Sequence, residues 1–184
     1  VMLERALKDG GLRVNVFSLI ALCAAGRGSF LDQQASRLCF TIEEFSDVAL
    51  KSTNPPRIAG RSTVFAKSDM IHLQQIATPD YEIVAGLCYA LARNFKGNIA
   101  KGKEIGRPVA FVGGGAANAG MRRALKEVFG LGEDELIVPE YFASMGAIGA
   151  VQAVLDDPSL RREFCDLDRL EQYLDQEHDR EAHK

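Results

Sequence analysis

The order of the predicted elements assigns this 184-residue chain to the α/β class. Short apolar runs that are typical of buried strands alternate with segments whose apolar residues recur at helical spacing. This strand–helix–strand–helix order implies right-handed crossovers and a portion of parallel sheet. The length suits one domain with a hydrophobic core, and a hydrophobic fraction of 47% excludes an intrinsically disordered chain.

The predicted elements begin with a strand that follows a glycine turn, and helices then dominate. In chain order, a strand at 12–22 follows a turn at 9–11, and helices follow at 29–38, from 41, at about 63–75 and from a start at 78–80. Next come a strand at 108–112, a helix after 118, a strand at 136–138, a helix at about 142–155 and an amphipathic tail helix beyond 158.

Capping signals mark the starts of three of these helices. Ser29, with Asp32 three residues later, resembles a capping box, and Thr41 is followed by acids that suit the helix dipole. Thr78 is a capping residue with Pro79 at the first turn. The apolar face of the helix after Ser29 is formed by Phe30, Leu31, Ala35 and Leu38. The apolar face of the helix after Thr78 is formed by Ile83, Val84, Leu87, Cys88, Leu91 and Phe95.

Proline and glycine mark the breaks between the other elements. Asn54–Pro56 and Gly60 indicate a loop at 51–62, and Pro139 stops the strand at 136–138. The helix after residue 118 has one apolar face, formed by Met121, Leu125, Val128 and Phe129.

The charge and hydropathy of the chain exclude several kinds of partner. The 22 basic and 25 acidic residues give a net charge of −3 without a basic stripe, so we expect no nucleic-acid or membrane surface. The chain has no apolar run of about 18 residues. Its charged N-terminal segment lacks the pattern of a signal peptide. We therefore expect a cytoplasmic protein.

The spacing of the four cysteines excludes a zinc ribbon and a C-x-x-C redox site, and we expect reduced thiols. Cys39 and Cys88 lie in apolar patterns and are predicted to be buried. Cys23 precedes a small-residue loop and a helix start, where the dipole favours a metal-binding thiolate. A cluster needs about four thiolates, so one cysteine cannot hold it alone.

A glycine turn at Gly113–Gly115 is the main candidate ligand site. Glycine lets a backbone approach a ligand closely, and the helix after Asn118 offers free N–H groups. Ligands of parallel sheets bind at the carboxyl ends of strands, where this turn is predicted. The pattern is neither a dinucleotide-binding G-x-G-x-x-G nor a P-loop, so a purely structural turn remains an equal alternative.

Four separated motifs, at 23–31, 62–68, 113–118 and 145–150, resemble the BadF/BadG/BcrA/BcrD ATPase family. The resemblance implies one lobe of an actin/Hsp70-like (ribonuclease H-like) ATPase fold, with a mixed sheet flanked by helices. It implies that residues 1–155 are the second of the two lobes of such an ATPase module, and that residues 156–184 form an amphipathic helical tail. Family members include ATP-dependent activators of 2-hydroxyacyl-CoA dehydratases and the ATPase subunits of benzoyl-CoA reductase.

The resemblance also implies cofactors and partners. Family activators are homodimers that hold one [4Fe-4S] cluster across the interface with two cysteines per subunit, and Cys23 matches the first of these. They bind ATP or ADP, with Mg²⁺ in the full-length protein, and deliver an electron to a CoA-ester dehydratase or reductase component. The residues that match the nucleotide-binding loops are Gly26, Gly28, Gly113, Gly114, Gly115 and Asn118.

The chain departs from the family pattern at three places. Ser62 replaces the second cluster cysteine, so a dimer supplies two of the four matched thiols that a cluster requires. Ile20 stands where an asparagine is usual, and Arg27 replaces a small residue and could meet phosphate or point to solvent. The family's two phosphate-binding segments, D-x-G-S-x-x-x-K and D-x-G-G-x-D, are absent, so we do not expect hydrolysis by this chain alone.

Three functions are therefore compatible with the sequence. The first is the second-lobe fragment of an ATP-dependent activator, with an N-terminal lobe expected upstream of Val1, that delivers an electron through a [4Fe-4S] cluster. The second is a non-catalytic interaction or scaffold lobe of a larger activase that has lost its cluster site. The third is an unrelated nucleotide-binding α/β domain. The acyl-CoA substrate of the partner, and dimerisation of this chain alone, are left open.

Overall fold

A computed structural model describes residues 2–8, 11–18, 27–161 and 167, with side chains from residue 30 onward. The helices are α1 (Arg27–Arg37), α2 (Ile42–Leu50), α3 (Thr63–Gln75), α4 (Asp80–Asn98), α5 (Ala119–Phe129) and α6 (Met145–Asp156), and the strands are β1 (Met2–Lys8), β2 (Gly11–Ser18), β3 (Val109–Ala110) and β4 (Leu136–Ile137). Short 3₁₀ helices lie at Gly114–Ala117, Glu133–Glu135 and Pro158–Leu160.

The described strands form two separate two-stranded sheets. β1 and β2 pair as an antiparallel hairpin, from Met2 opposite Ser18 to Lys8 opposite Gly11. β3 and β4 pair in parallel, which agrees with the predicted parallel portion. The predicted strand at 108–112 is reduced to two paired residues, since Pro108 has no N–H to donate and the chain turns at Gly113.

The hydrophobic core is built around α4, which packs against both α2 and α5. α1 and α3 also contact α4, so one long apolar helix organises the first part of the chain. This arrangement confirms the predicted helix faces. The buried members of those faces are Phe30, Leu31, Ala35, Leu38, Ile83, Val84, Leu87, Cys88, Leu91, Met121 and Leu125, while Phe95, Val128 and Phe129 are half-buried.

The predicted start of α2 is confirmed, whereas two other predicted caps are wrong. Thr41 Oγ1 accepts a hydrogen bond from the N–H of Glu44 at 3.2 Å, and the Glu44 carboxylate accepts one from the N–H of Thr41 at 2.9 Å. α1 begins at Arg27, so Ser29 lies inside the helix, whose first turns are held by the burial of Phe30 and Leu31.

The Thr78 cap fails for a local reason. The N–H of Thr78 donates to the Leu73 carbonyl at 2.9 Å, so Thr78 closes the end of α3 instead of starting α4. Pro79 takes the capping position without a side-chain hydrogen bond. α6 likewise begins at Met145 rather than at Phe142, because the preceding residues form turns, one of them closed by the N–H of Phe142 on the Pro139 carbonyl.

The contacts divide the chain into two compact units, Val1–Met145 and Gly146–Lys184. In the second unit α6 is followed by the 3₁₀ turn at Pro158–Leu160, and most of the predicted tail helix lies outside the described residues. The predicted lobe boundary after residue 155 stays a prediction. Within the described ranges, no helix combines the length and apolarity needed to cross a membrane.

Candidate functional site

The predicted glycine turn follows β3 and leads directly into α5. Gly113 has a φ of 92°, in the region that favours glycine, and its N–H donates to the Phe142 carbonyl at 2.7 Å. Among the described residues, a Cβ atom added at Gly113 or Gly114 would meet nothing within 4 Å, and at Gly115 it would meet Phe111 at 3.6 Å. On the side of these Cβ positions, the described residues therefore leave space that a ligand can occupy.

Asn118 ends the turn and caps α5. Its Oδ1 accepts a hydrogen bond from the N–H of Met121 at 2.9 Å, and the residue is 5% exposed. Its Nδ2 is buried without a partner in the part of the chain that the structure describes. The side chain thus lies beneath the turn and positions its backbone.

The start of α5 is less open to a ligand than the sequence predicts. The N–H of Ala119 donates to Ser46 Oγ of α2 at 2.8 Å, and the N–H of Met121 is taken by Asn118. Two of the N–H groups that a helix N-terminus normally offers are therefore already bonded. A ligand at this site would approach the glycine backbone rather than the helix terminus.

A small residue lets α5 pack closely beneath the turn. A Cβ atom at Gly120 would lie 2.5 Å from the Ala49 Cβ and 3.3 Å from the Cys88 Sγ, so α2, α4 and α5 meet there. Burial raises the pKa of the Cys88 thiol to about 12. The thiol therefore stays protonated and unreactive, and its role is to fill space in the core. Sequence reasoning identified the Cys88 role but missed Gly120 and Ser46, because neither stands in a recognisable motif.

The second predicted loop is described only in part. Cys23 and Gly26 lie outside the described residues, and Gly28 is in the first turn of α1. α1 contacts the 3₁₀ turn at Gly114–Ala117. The helix that carries Gly28 and the glycine turn are therefore neighbours, in agreement with one site formed by both segments.

Ser62 is the N-cap of α3. Its Oγ accepts a hydrogen bond from the N–H of Val64 at 3.2 Å, and the residue is half-buried. Val64 and Phe65, which follow it, are 67% and 62% exposed. The start of α3 therefore presents a hydroxyl beside two uncovered apolar side chains.

The loop at 51–62 is fixed in place against α3 and α4. A Cβ atom at Gly60 would lie 2.3 Å from the Ala90 carbonyl oxygen, so only glycine allows this approach. Asp69 of α3 accepts a hydrogen bond from the N–H of Ala59 at 2.8 Å, and Asn94 of α4 donates to the Gly60 carbonyl. Ser62 is thus presented by a well-anchored backbone.

A second anchor of the same loop is Glu82, near the start of α4. Its carboxylate accepts hydrogen bonds from the Ser52 hydroxyl and from the N–H groups of Thr53 and Asn54. The Ser52 bond is the main cause that holds the Glu82 pKa below its ordinary value, against the opposing effect of burial.

The described thiols do not fit an iron–sulfur cluster at Ser62. Cys88 is fully buried in the core. Cys39 is exposed, so its predicted burial is wrong. It follows α1 with a φ of 60°, and because this left-handed conformation ends the helix, Cys39 does not lie on the buried helix face. No group of three or more metal-ligating side chains occurs among the residues with described positions.

Comparison with known proteins gives the same fold and points to one family. The profile of the BadF/BadG/BcrA/BcrD ATPase family matches residues 6–153. The chain is 33% identical over 150 residues to the 2-hydroxyisocaproyl-CoA dehydratase activator of Clostridioides difficile, covering 81% of this chain and 54% of that protein.

Two solved structures resemble the chain. The (R)-2-hydroxyglutaryl-CoA dehydratase component A of Acidaminococcus fermentans has a TM-score of 0.69 at 30% identity, covering 79% of this chain and 54% of that one. The Clostridium difficile activator of 2-hydroxyisocaproyl-CoA dehydratase, with bound ADPNP, has a TM-score of 0.64 at 28% identity, covering 85% and 56%.

These likenesses confirm the predicted fold class, a lobe of the actin-like ATPase fold. The chain spans about half the length of the curated relatives that it matches. The family match extends over most of the chain and includes the glycine turn, α3 and the start of α6. The chain belongs to the BadF/BadG/BcrA/BcrD ATPase family.

Proposed function

We propose that this chain is the second, nucleotide-binding lobe of an ATP-dependent activator of a CoA-ester dehydratase or reductase component. Two relatives are named as activators of 2-hydroxyisocaproyl-CoA and lactoyl-CoA dehydratases, and a third as a dehydratase-activating ATPase. The activator would work in the cytoplasm, where its thiols stay reduced.

The observation that carries the proposal is the open backbone at Gly113 and Gly114. At both glycines the position of a Cβ has no atom of the described residues within 4 Å, whereas a Cβ at Gly120 in α5 would lie 2.5 Å from the Ala49 Cβ. The adenosine part of ATP or ADP would lie against this turn, with Gly115 and the loop at Gly26 and Gly28 beside it. Asn118 would hold the turn in shape from below.

We propose that hydrolysis requires a further lobe. The family's phosphate-binding segments, which position Mg²⁺ and the attacking water, are missing from this sequence. The relatives are about twice as long as the matched region, which supports a two-lobe protein with the nucleotide between the lobes. This chain alone would bind nucleotide with low hydrolytic activity.

The start of α3 is the proposed contact surface for a second copy or for the dehydratase component. Val64 and Phe65 are both largely exposed, beside the position where the family resemblance puts a subunit interface. Side chains of this kind, uncovered at the start of a helix on an anchored loop, favour a protein contact.

We do not expect this chain to hold a [4Fe-4S] cluster by itself, because Ser62 stands where the family pattern has the second cysteine. The interface would receive Cys23 and Ser62 from each copy, and a serine hydroxyl that caps a helix does not replace a thiolate. Ser62 therefore favours the second candidate function, an interaction lobe of a larger activase without a cluster of its own. Electron delivery would then depend on thiols from elsewhere.

Calorimetric titration with ADP tests the nucleotide proposal. The wild-type chain is expected to bind, Gly114→Val to bind at least tenfold more weakly, and Gly106→Val to bind as the wild type does. Both glycines are exposed and have free space at the Cβ position, so both variants should fold. Absence of binding at millimolar ADP would overturn the proposal.

Iron content after anaerobic preparation separates the two candidate functions. We expect the wild-type chain to be colourless and free of iron. Bound iron with absorbance near the 400 nm region, lost in Cys23→Ala, would instead support electron delivery by this chain. Ser62→Cys tests the assignment of the site, since it restores the cysteine that the family pattern has at this position.

A further inference from the structure

A cleft of about 640 Å³ lies along α5 and the segment 130–138 that follows it. Three basic residues of α5 line it, and their spacing puts them on one side of the helix. The lining also includes apolar side chains from before, within and after β4. The cleft thus combines positive charge with an apolar surface. The basic and apolar residues are Arg122, Arg123, Lys126, Leu131, Leu136 and Val138.

One of the three cations is already neutralised within the fold. Arg123 Nε donates to the Glu127 carboxylate at 3.1 Å, and its Nη1 donates to the Leu50 carbonyl at 3.3 Å. Glu127 also accepts a hydrogen bond from the Tyr89 hydroxyl. This arrangement ties α5 to α2 and α4, and it leaves Arg123 with little capacity for a ligand.

Among the residues with described positions, no acid pairs with either of the other two cations. Arg122 and Lys126 are both half-buried, and neither forms an ion pair within the described ranges. The described hydrogen bond of the Arg122 side chain joins Nη2 to the Ala117 carbonyl, at 3.1 Å. The remaining acid in the lining is the exposed Glu133.

The position of Arg122 within α5 is unfavourable for a cation. Lys126 lies in the last turn, where a positive charge complements the helix dipole. Arg122 lies close to the start of the same helix, whose first turn contains no acid. An unneutralised, half-buried cation near a helix N-terminus is stabilised when an anion lies beside it.

We propose that this cleft binds a phosphate monoester with an apolar body, whose phosphate group lies between Arg122 and Lys126. A phosphate monoester carries a charge of about −1.5 to −2 at neutral pH, so one group matches both cations. Arginine suits phosphate through paired N–H donors. Leu136 and Val138 would contact the apolar body. This cleft differs from the open side of the glycine turn, although Arg122 touches that turn through its bond to the Ala117 carbonyl.

Titration of the chain with phenyl phosphate tests the proposal. Calorimetry measures the affinity, and the NMR chemical shifts of the α5 backbone amides locate the binding. Arg122→Gln and Lys126→Gln should each weaken binding at least tenfold. Lys67→Gln, which removes an exposed charge from α3, should leave binding unchanged. Arg122→Gln also removes the hydrogen bond to the Ala117 carbonyl and could impair folding, so Lys126→Gln serves as the second, independent variant. Inorganic phosphate and benzoate, which each lack half of the ligand, should bind more weakly than phenyl phosphate.

Three results would overturn the proposal. One is a wild-type chain that does not bind phenyl phosphate. Another is an equal loss of affinity in Lys67→Gln and Lys126→Gln, which would indicate non-specific charge attraction. The third is a loss of binding in Gly114→Val with none in Lys126→Gln, because the anion would then lie at the glycine turn. Failure of ADP binding alone would leave this inference intact.

Discussion

The Oδ1 atom of Asn118 accepts a hydrogen bond from the N–H of Met121 at 2.9 Å, and this bond joins the glycine turn to the first turn of α5. Asn118 is at once the last residue of the turn and the N-cap of the helix. Its conformation therefore sets both the end of the open glycine backbone and the direction of α5.

Replacement of Asn118 by alanine should destabilise the chain. Loss of an N-cap hydrogen bond lowers the free energy of unfolding by about 1 kcal/mol. Asn118→Ser retains a capping oxygen and should recover most of that loss. Urea denaturation measures the unfolding free energies of the wild type, Asn118→Ala and Asn118→Ser. Equal stability of the two variants would show that the cap does not stabilise the chain.

Gly60→Ala should destabilise the chain by about 1–3 kcal/mol, the usual cost of overpacking. The new Cβ would lie 2.3 Å from the Ala90 carbonyl oxygen, so the loop at 51–62 would have to move away from α4. Gly97→Ala in α4 is the matched control, since its Cβ meets nothing within 4 Å and alanine favours a helix. Thermal unfolding of both variants compares them, and similar melting temperatures would contradict the close packing.

Glu82 should give the chain a pH-dependent stability. Its pKa is lower in the folded chain than its ordinary value of 4.5, so the folded carboxyl binds protons more weakly than the unfolded one. Its stabilising effect is therefore complete above pH 4.5 and is lost as the pH falls through the folded pKa.

Glu82→Gln tests this dependence by urea denaturation across the acid range. The difference in unfolding free energy between wild type and variant should be greatest above pH 4.5 and should shrink towards lower pH. Glu104→Gln, which changes an exposed acid in the loop after α4, is the control. A Glu82→Gln difference that stays constant down to pH 3 would contradict the role of the carboxylate.

Cys39 and Cys88 should differ sharply in reactivity towards a maleimide. Cys39 is exposed, whereas Cys88 is fully buried with a pKa raised to about 12, so it forms little thiolate. Peptide mass spectrometry of briefly labelled native chain should find Cys39 modified and Cys88 modified only after denaturation. Early modification of Cys88 would mean that α4 opens readily.

Helix faces were predictable because their periodicity reports burial directly. The spacing of Ile83, Leu87 and Leu91 predicts the buried side of α4, and each of the three is less than 3% exposed. The helix start at Thr41 was predictable for an equally local reason, since acids follow it in the first turn, and the structure adds the capping box. The glycine turn could be located from its composition, and the structure adds that the described residues leave space on the side of its Cβ positions.

Contacts between distant residues were not predictable from the pattern. Glu82 lies in the first turn of α4, where an acid complements the helix dipole, but its carboxylate also accepts a hydrogen bond from the Ser52 hydroxyl, 30 residues away. Ser46 and Ala119, which share a hydrogen bond beneath the turn, are 73 residues apart. Thr78 has the composition of a cap, but the end of α3 takes its N–H. At Glu82 and Ser46 a long-range contact overrode the local pattern, whereas at Thr78 a competing local turn at the end of α3 did so.

The central claim, that the glycine turn binds the adenosine part of a nucleotide, is tested most directly by amide chemical shifts of the labelled chain during titration with ADP. We predict that the largest shifts occur at Gly113, Gly114 and Gly115, with smaller shifts at Asn118 and in the first turn of α1. Saturable shifts confined to other segments, or no shifts at millimolar ADP, would contradict the account.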